Sequence, residues 1–263
     1  MYPKLFDLGP IPVYSYGLML GIAFLIGSFL ITKELKRKNI DQNVGFTLTL
    51  IAIVTGIIGS KVFYVIEEWN FGNGVPIKNL LGSDLLSPAG LTFYGGLVFS
   101  ILSVVIYCKM KKLSVMMIFD SMTPSITIGY AVARIGCHLS GDGCYGVAVN
   151  GTFWEFLGME YSKGIVPTAP GELALPTPLF EMGAGLILFL FLWSIRKKMR
   201  YNGQLFYIYL VFSGIFRLTV EFFRRNPKVI FDLSQAQLIS VGMIILGIAM
   251  LIFFKNKVSK TSN

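Results

Sequence analysis

The chain has 263 residues, of which 54% are hydrophobic, with a mean hydropathy of +0.67 and a formal net charge of +9. Soluble domains contain about 45–50% apolar residues, and here the excess falls in runs of about 20 residues, the length of a helix that spans a bilayer. A transmembrane β-barrel would require short alternating segments, which the sequence does not contain. The composition therefore predicts an all-α integral membrane protein.

The apolar runs predict seven transmembrane helices, at about 13–32, 44–66, 91–108, 115–138, 177–195, 204–223 and 234–254. Clusters of Lys and Arg follow the first, third, fifth and seventh runs. Cytoplasmic loops carry such clusters, so we expect the N-terminus outside and the C-terminus in the cytoplasm. The same placement explains the positive charge as an orientation signal, and no nucleic-acid partner is expected.

The predicted outer loops are 67–90, 139–176 and 224–233, and the first helix is expected to be kept as an anchor because no cleavable signal precedes it. The loop 139–176 is the longest and is rich in Gly, Pro and aromatic residues. Long loops in compact proteins usually carry function, so we expect an ordered extracytoplasmic cap within a single transmembrane domain, 1–263.

Cysteine and histidine usage predicts neither a disulfide framework nor a metal site. The chain has three cysteines, a single histidine (His138) and no CxxC motif. No metal and no soluble cofactor are therefore expected.

Charged residues lie inside the apolar runs, where each costs about 2.5–3.5 kcal/mol on insertion scales. Arg217 and Glu221 are four residues apart, so they share a helix face and can pair, and Arg224 returns to that face. One interpretation is a structural ion pair with a snorkelling arginine at the helix exit. The other is capture of an anion, because guanidinium groups bind phosphate in a bidentate manner and lipid headgroups supply phosphate at that depth.

The fourth predicted helix ends in GYAVARIGCHLSGDGCYG, residues 129–146. A glycine that caps a helix C-terminus would account for Gly141 or Gly143. It would not account for Arg134, His138 and Asp142 together.

The third predicted helix opens with LTFYGGL, residues 91–97. Tyr94 precedes Gly95 and Gly96 at the outer interface, where a tyrosine is usually an aromatic-belt anchor.

Taken together, these stretches resemble the prolipoprotein diacylglyceryl transferase family of bacterial inner-membrane enzymes. The resembling blocks occur in family order, at YSYGLML (14–20), GSKVFYVI (59–66), LTFYGGL (91–97), ARIGCHLSGDGCYG (133–146), LPTPLFE (175–181), GIFRLTVEFFRRNP (214–227) and LSQAQLIS (233–240). The likeness covers most of the chain.

The resemblance implies transfer of the diacylglyceryl group of phosphatidylglycerol to the lipobox cysteine thiol of a preprolipoprotein signal peptide, with release of glycerol phosphate. Arg134 matches the family's essential arginine, and Arg217 and Glu221 match the pair of the sixth span. Tyr16 matches the tyrosine of the first span, and Asp142 stands where a glutamate is usual.

The sequence departs from the family pattern at several positions. Tyr94 replaces a histidine that is often proposed to be catalytic, Leu175 replaces another histidine, and Cys137 and Ser140 replace asparagines. The base for the thiol therefore stays open among Asp142, Tyr94 and Glu221.

We expect two groups of site residues and a multi-pass location in the bacterial inner membrane, among membrane lipids. The expected catalytic residues are Arg134, Tyr94, Asp142 and Glu221, and the expected substrate-binding residues are Arg217, Tyr16, Gly95, Gly96, Gly141 and Arg224.

Two alternatives stay open: a paralogue that acts on another lipid or acceptor, and a non-catalytic protein that binds lipid or a partner. An enzyme predicts that Arg134, Asp142, Tyr94, Arg217 and Glu221 line one cavity open to the outer leaflet.

Overall fold

A computed structural model describes residues 1–9, 11–71 and 92–261. Within these residues the helices are α1 (Ser15–Arg37), α2 (Asn43–Phe71), α3 (Phe93–Met110), α4 (Val115–Ser140), α5 (Thr177–Ile195), α6 (Gln204–Glu221) and α7 (Gln235–Thr261). A short 3₁₀ turn lies at Glu155–Leu157. Two antiparallel hairpins, which the sequence did not predict, pair β1 (Lys4–Leu8) with β2 (Ile11–Tyr14) and β3 (Lys228–Ile230) with β4 (Leu233–Ser234).

Every predicted transmembrane run coincides with one of these helices. Among the residues that the structure describes, six of these helices, all except α6, are long and apolar enough to cross a membrane. The chain is therefore a helical, multi-pass membrane protein. The mean hydropathy of α6 is lowered by Gln204, Arg217 and Glu221.

Three predicted helix ends are too short, because α1 continues to Arg37, α2 to Phe71 and α7 to Thr261, whereas the predicted runs end at 32, 66 and 254. The outer loop was expected to begin at residue 67, but α2 continues to Phe71. The rest of that predicted loop, 72–90, lies outside the described residues.

The described chain divides into two compact units, one formed by Met1–Ile31 with Phe119–Asn263 and the other by Thr32–Ile118. In the second unit α3 packs closely on α2 through glycines. A Cβ atom added to Gly96 would lie 2.5 Å from Ser60 Oγ and 2.9 Å from the carbonyl oxygen of Gly56. Gly95 meets Gly59 in the same way. The Gly-Gly pair of LTFYGGL thus has a packing role, because only glycine lets the two helix backbones approach this closely.

In the first unit α6 packs against α7 by the same device. A Cβ atom added to Gly214 of α6 would lie 2.9 Å from the carbonyl oxygen of Ser240, and one added to Gly247 of α7 would lie 2.9 Å from that of Tyr207. The close approach aligns the two helices over their length and places the end of α6 beside the β3–β4 hairpin.

The segment 141–176 is an ordered, hydrogen-bonded loop. The Gly146 N–H donates to Leu175 and the Val149 N–H donates to Leu173, both at 2.8 Å. One edge of the loop is hydrogen-bonded to the residues that follow α6, since the Val147 N–H donates to the Phe223 carbonyl at 2.9 Å. The loop is therefore tied to the charged end of α6. Its extracytoplasmic position stays a prediction.

Asp120 of α4 caps the N-terminus of α6. The residue that precedes the helix, Gly203, has a φ of 95° and no side chain to accept the first helical N–H groups. Asp120 Oδ2 accepts from the Gly203 N–H at 2.7 Å, and Oδ1 accepts from the Phe206 N–H at 2.9 Å. A carboxylate is the favoured partner for these donors, because the helix N-terminus carries a partial positive charge. This role explains a buried charge in an apolar run.

Replacement of this cap by Asp120→Ala should destabilise the protein. The buried N–H of Gly203 and the partly buried N–H of Phe206 would lose their acceptor, and a buried unsatisfied group costs about 1–3 kcal/mol. We expect a lower midpoint of thermal unfolding in detergent, measured by circular dichroism. The matched control is Asp7→Ala, which removes an aspartate that is 54% exposed in a surface pair with Lys4. An equal loss of stability in both variants would contradict the capping role.

Candidate functional site

Glu181 of α5 lies at the centre of an arginine cluster. Its Oε2 is 2.6 Å from Arg134 Nε, and its Oε1 pairs with Arg217 Nη1 and lies 3.3 Å from Arg224 Nη1. The three arginines come from α4, from α6 and from the residues after α6. The Glu181 side chain is only 2% exposed. A carboxylate buried to this degree is stable only when paired, and here three guanidinium groups share it.

The start of α5 places Glu181 beside Arg134. Thr177 and Pro178 open the helix, and the Thr177 hydroxyl donates to the carbonyl of Cys144 at 2.6 Å. This bond fastens the start of α5 to the turn that follows α4. Glu181 is then one helical turn further along.

The predicted pairing of Arg217 with Glu221 occurs on α6, with 2.9 Å between Arg217 Nη2 and Glu221 Oε2. The other carboxylate oxygen, Oε1, accepts from Asn226 Nδ2 and, at 2.8 Å, from the Ser234 hydroxyl. Ser234 is held in turn by Gln237, whose Oε1 accepts the Ser234 N–H at 2.8 Å. Glu221 is therefore fixed by three donors, two of them from beyond the helix end.

The cluster presents positive charge to an incoming ligand. Its three guanidinium groups exceed the two carboxylates, Glu181 and Glu221, by one positive charge. The carboxylates are also the more deeply buried groups, since the side chains of Arg217 and Arg134 are 25% and 15% exposed against 2% and 1% for Glu181 and Glu221. A group that reaches this site meets arginine first, so the site is suited to an anion.

Two thiols and Asp142 lie on the other side of Arg134. Arg134 Nη1 donates to Cys137 Sγ at 3.7 Å and to Cys144 Sγ at 3.6 Å. The Cys144 N–H donates to Asp142 Oδ1 at 3.1 Å. The hydrogen bond from Cys137, together with the guanidinium groups of Arg134 and Arg224, holds the pKa of the Cys144 thiol below its ordinary value, although burial opposes the shift.

Tyr16 lies next to the Arg134 turn of α4. A Cβ atom added to Gly136 would lie 3.1 Å from Tyr16 Cα and 3.3 Å from Tyr16 Cδ2. Gly136 thus lets α1 approach α4 closely. Tyr16 of α1 therefore contacts α4 at a position two residues after Arg134.

The remaining residues of the predicted loop motif have structural partners. His138 Nδ1 and the Tyr161 hydroxyl oxygen share a hydrogen bond of 3.0 Å. Burial raises the pKa of Tyr161, so the phenol keeps its proton for that bond. Gly141 follows the last residue of α4 with a φ of 59°, and an added Cβ would lie 2.6 Å from Gly164 Cα. Gly141 therefore has the position and the positive φ of a glycine that caps a helix C-terminus, which the sequence left open as an alternative to substrate binding.

The structure thus brings together Arg134, Arg217, Glu221 and Arg224 through Glu181, with Asp142 joined to them by the thiol pair. Tyr94, Gly95 and Gly96 belong to the other compact unit, so their expected place at the same site stays a prediction. Tyr94 itself is half-buried and packs edge-on against Phe93.

Sequence reasoning missed Glu181 as a site residue. It stands in LPTPLFE, one of the resembling blocks, without a predicted role. The signal that could have found it is a carboxylate in an apolar run that requires a cationic partner, in a chain whose fourth run carries Arg134 with no carboxylate at helical spacing.

Fold and site together define a multi-pass membrane protein with three arginines paired to one buried carboxylate. A family model described as prolipoprotein diacylglyceryl transferase matches residues 3–253. The chain therefore belongs to the prolipoprotein diacylglyceryl transferase family, and the resemblance found in the sequence is confirmed. Membership makes the chain a transferase.

Curated relatives cover nearly the whole chain. The phosphatidylglycerol–prolipoprotein diacylglyceryl transferase of Leptospira interrogans is 33% identical over 95% of this chain and 92% of its own length. Proteins with the same name from Clostridium tetani and Bacillus cytotoxicus are 31% and 33% identical, over 94% and 93% of this chain and 96% and 89% of their own lengths.

Removal of the central charge by Glu181→Gln should destabilise the protein strongly. The three arginines would keep only Glu221 as a counter-charge, and breaking a buried pair costs about 3–5 kcal/mol. The free energy of unfolding, measured by denaturation with sodium dodecyl sulfate, should fall by about that amount. Glu172→Gln is the control, since it removes a carboxylate that pairs with Arg225 at the surface. Similar stability of the two variants would contradict a central role for Glu181.

Proposed function

We propose that the chain transfers the diacylglyceryl group of phosphatidylglycerol to the cysteine thiol of a prolipoprotein signal peptide and releases glycerol phosphate. The supporting observation is the convergence of Arg134, Arg217 and Arg224 on one buried carboxylate, with arginine the most exposed part of the cluster. The relatives' names supply the two substrates.

The flow of charge explains why the reaction requires arginine. The substrate thiolate attacks the carbon of the diacylglyceryl group that bears the phosphodiester, so a carbon–sulfur bond forms and the carbon–oxygen bond to the phosphate breaks. The electron pair of the broken bond leaves with glycerol phosphate, whose phosphate gains one negative charge. Arg217 and Arg134 are positioned to bind the phosphate and to stabilise that added charge as it develops, and donors fixed in advance act most strongly in a site of low dielectric constant.

The thiol proton needs an acceptor, and the contacts favour Asp142 among the three candidates. Both carboxylate oxygens of Glu221 are already engaged, by Arg217, Asn226 and Ser234. Asp142 is held by the Cys144 backbone N–H, is half-buried and lies beside the two thiols that Arg134 contacts. Tyr94 would require a cation next to its phenol, because a free tyrosine titrates near pH 10.

The membrane arrangement that we propose has seven spans, with α6 as the seventh. The charges of α6 can enter the bilayer because Arg217 pairs with both Glu181 and Glu221, and the N-terminus of α6 is capped by Asp120. The N-terminus is outside the bacterial inner membrane and the C-terminus is cytoplasmic. Phosphatidylglycerol enters sideways between helices, and the signal peptide approaches the 139–176 cap from the outer face.

The second candidate function is transfer to a different acceptor or from a different lipid. Tyr94 favours it, because this position carries a histidine in the family pattern. The assay below separates the two by the use of defined substrates.

Substitution of the arginines should abolish transfer. The assay follows glycerol phosphate release and the mass of a lipobox peptide mixed with purified protein in phosphatidylglycerol micelles. Wild-type protein should add one diacylglyceryl group to the peptide, and Arg134→Gln and Arg217→Gln should lower the rate about 100- to 1,000-fold, as expected for removal of a donor to a developing anion.

The control for this assay is Arg225→Gln, which removes the exposed arginine adjacent to Arg224, and it should stay within about twofold of wild type, because exposed ion pairs contribute little. No release and no mass shift from wild-type protein, beside an active relative, would reject this donor and acceptor.

The seven-span arrangement predicts that the two termini lie on opposite sides of the membrane. An N-terminal epitope tag should be cleaved by protease added to spheroplasts, and a C-terminal tag should be protected until the cells are lysed. Six spans would place both tags on the same side, and equal cleavage of both would contradict the insertion of α6.

A further inference from the structure

The thiols of Cys137 and Cys144 and the carboxylate of Asp142 form a cluster of possible metal ligands. One ligand atom from each residue lies within 4.8 Å of those of the other two. Both cysteines are free thiols. They are seven positions apart in the sequence, so they do not form a short metal-binding motif such as CxxC. The end of α4 and the following turn bring them together.

We propose that Cys137, Asp142 and Cys144 bind one thiophilic divalent cation of the zinc class. The inference goes beyond the proposed function and does not depend on it. Two sulfurs and one carboxylate oxygen are a donor set that such cations accept, and a fourth position is then filled by water. In a tetrahedral site with zinc–sulfur bonds of about 2.3 Å the ligand atoms stand about 3.8 Å apart. The cluster therefore needs only a small contraction to close on an ion.

The turn after α4 supplies both the ligand geometry and the access route. Gly143 has a φ of 83° and is exposed, and it reverses the chain between Asp142 and Cys144. Asp142 and Cys144 are half-buried and Cys137 is buried. An ion would enter from the side of the turn, meet the carboxylate and Cys144, and reach Cys137 last.

Arg134 balances the charge of the occupied site. Binding deprotonates the two thiols, and their protons pass to the solvent. Two thiolates, one carboxylate and a divalent cation together carry one negative charge. Arg134 Nη1 already donates to both sulfurs, so its guanidinium neutralises that charge. The positive charge of Arg134 therefore does not exclude a cation here.

The direct test is titration of the reduced protein with cadmium, a spectroscopic substitute for zinc. Purified protein freed of reductant and metal should develop the ultraviolet thiolate-to-cadmium charge-transfer band, saturate at one ion per chain, and lose the band when zinc is added. X-ray absorption of the zinc-loaded protein should show two sulfur ligands.

Matched variants identify the ligands. Cys144→Ser and Cys137→Ser should lose the band, and Asp142→Asn should bind cadmium more weakly. Cys108→Ser is the control, because Cys108 is buried in α3 within the other compact unit, and it should titrate as the wild type does. Thermal unfolding of each variant verifies that the fold is intact before titration.

Three results would overturn the proposal. The first is the absence of a charge-transfer band from reduced wild-type protein. The second is a band that persists in folded Cys144→Ser, which would place the ion elsewhere. The third is a Cys137–Cys144 disulfide in protein isolated without reductant, seen as the loss of two hydrogens by mass spectrometry, because oxidation would then occupy the thiols in place of a cation.

An activity measurement adds a consequence that rests on the proposed function. Zinc would capture Asp142, the favoured proton acceptor, so it should inhibit transfer by wild-type protein and by Cys108→Ser. Where Cys144→Ser retains measurable transfer, zinc should inhibit it less. Failure of the transferase assay leaves the cadmium titration intact, so the two proposals fail separately.

Discussion

The ion pairing of Glu181 is the interaction on which the rest of the site depends. One carboxylate, 2% exposed, contacts three guanidinium groups that arise from α4, α6 and the residues after α6. Without it, the guanidinium groups of Arg134, Arg217 and Arg224 would lie close together with only Glu221 as a counter-charge. With it, the arginines are held in place and still exceed their carboxylate partners by one charge, so the cluster is suited to an anion.

The second carboxylate, Glu221, links the arginine cluster to the segments that follow α6. Ser234 and Gln237 connect it to the β3–β4 hairpin and the start of α7, and Asn226 connects it to the segment after α6. The 141–176 loop joins at the same place through Val147 and Phe223. The elements that would admit lipid and peptide are thus fastened to the residues that would bind the phosphate, and such fixed donors need little rearrangement when charge develops.

The helices could be predicted from the sequence because a long apolar run can satisfy its backbone hydrogen bonds in a membrane only by forming a helix. The pairing of Arg217 with Glu221 could also be predicted, since it depends only on helical periodicity. The role of Glu181 could not, because it arises from three segments that are distant in sequence. The Cys137–Asp142–Cys144 cluster was missed for a similar reason, as a helix end and a positive-φ turn bring its members together. The capping role of Asp120 could not be predicted either, because the N-terminus that it caps lies 83 residues away.

The central claim is that this cluster is a binding site for a phosphate that bears glycerol, and calorimetric titration with glycerol phosphate in an uncharged detergent tests it most directly. The account predicts that wild-type protein binds glycerol phosphate but not glycerol, that Arg217→Gln loses most of the affinity, and that Arg225→Gln keeps it. Equal affinity of wild type and Arg217→Gln, or equal binding of glycerol and glycerol phosphate, would contradict the account, because the arginines would then serve only to stabilise the fold.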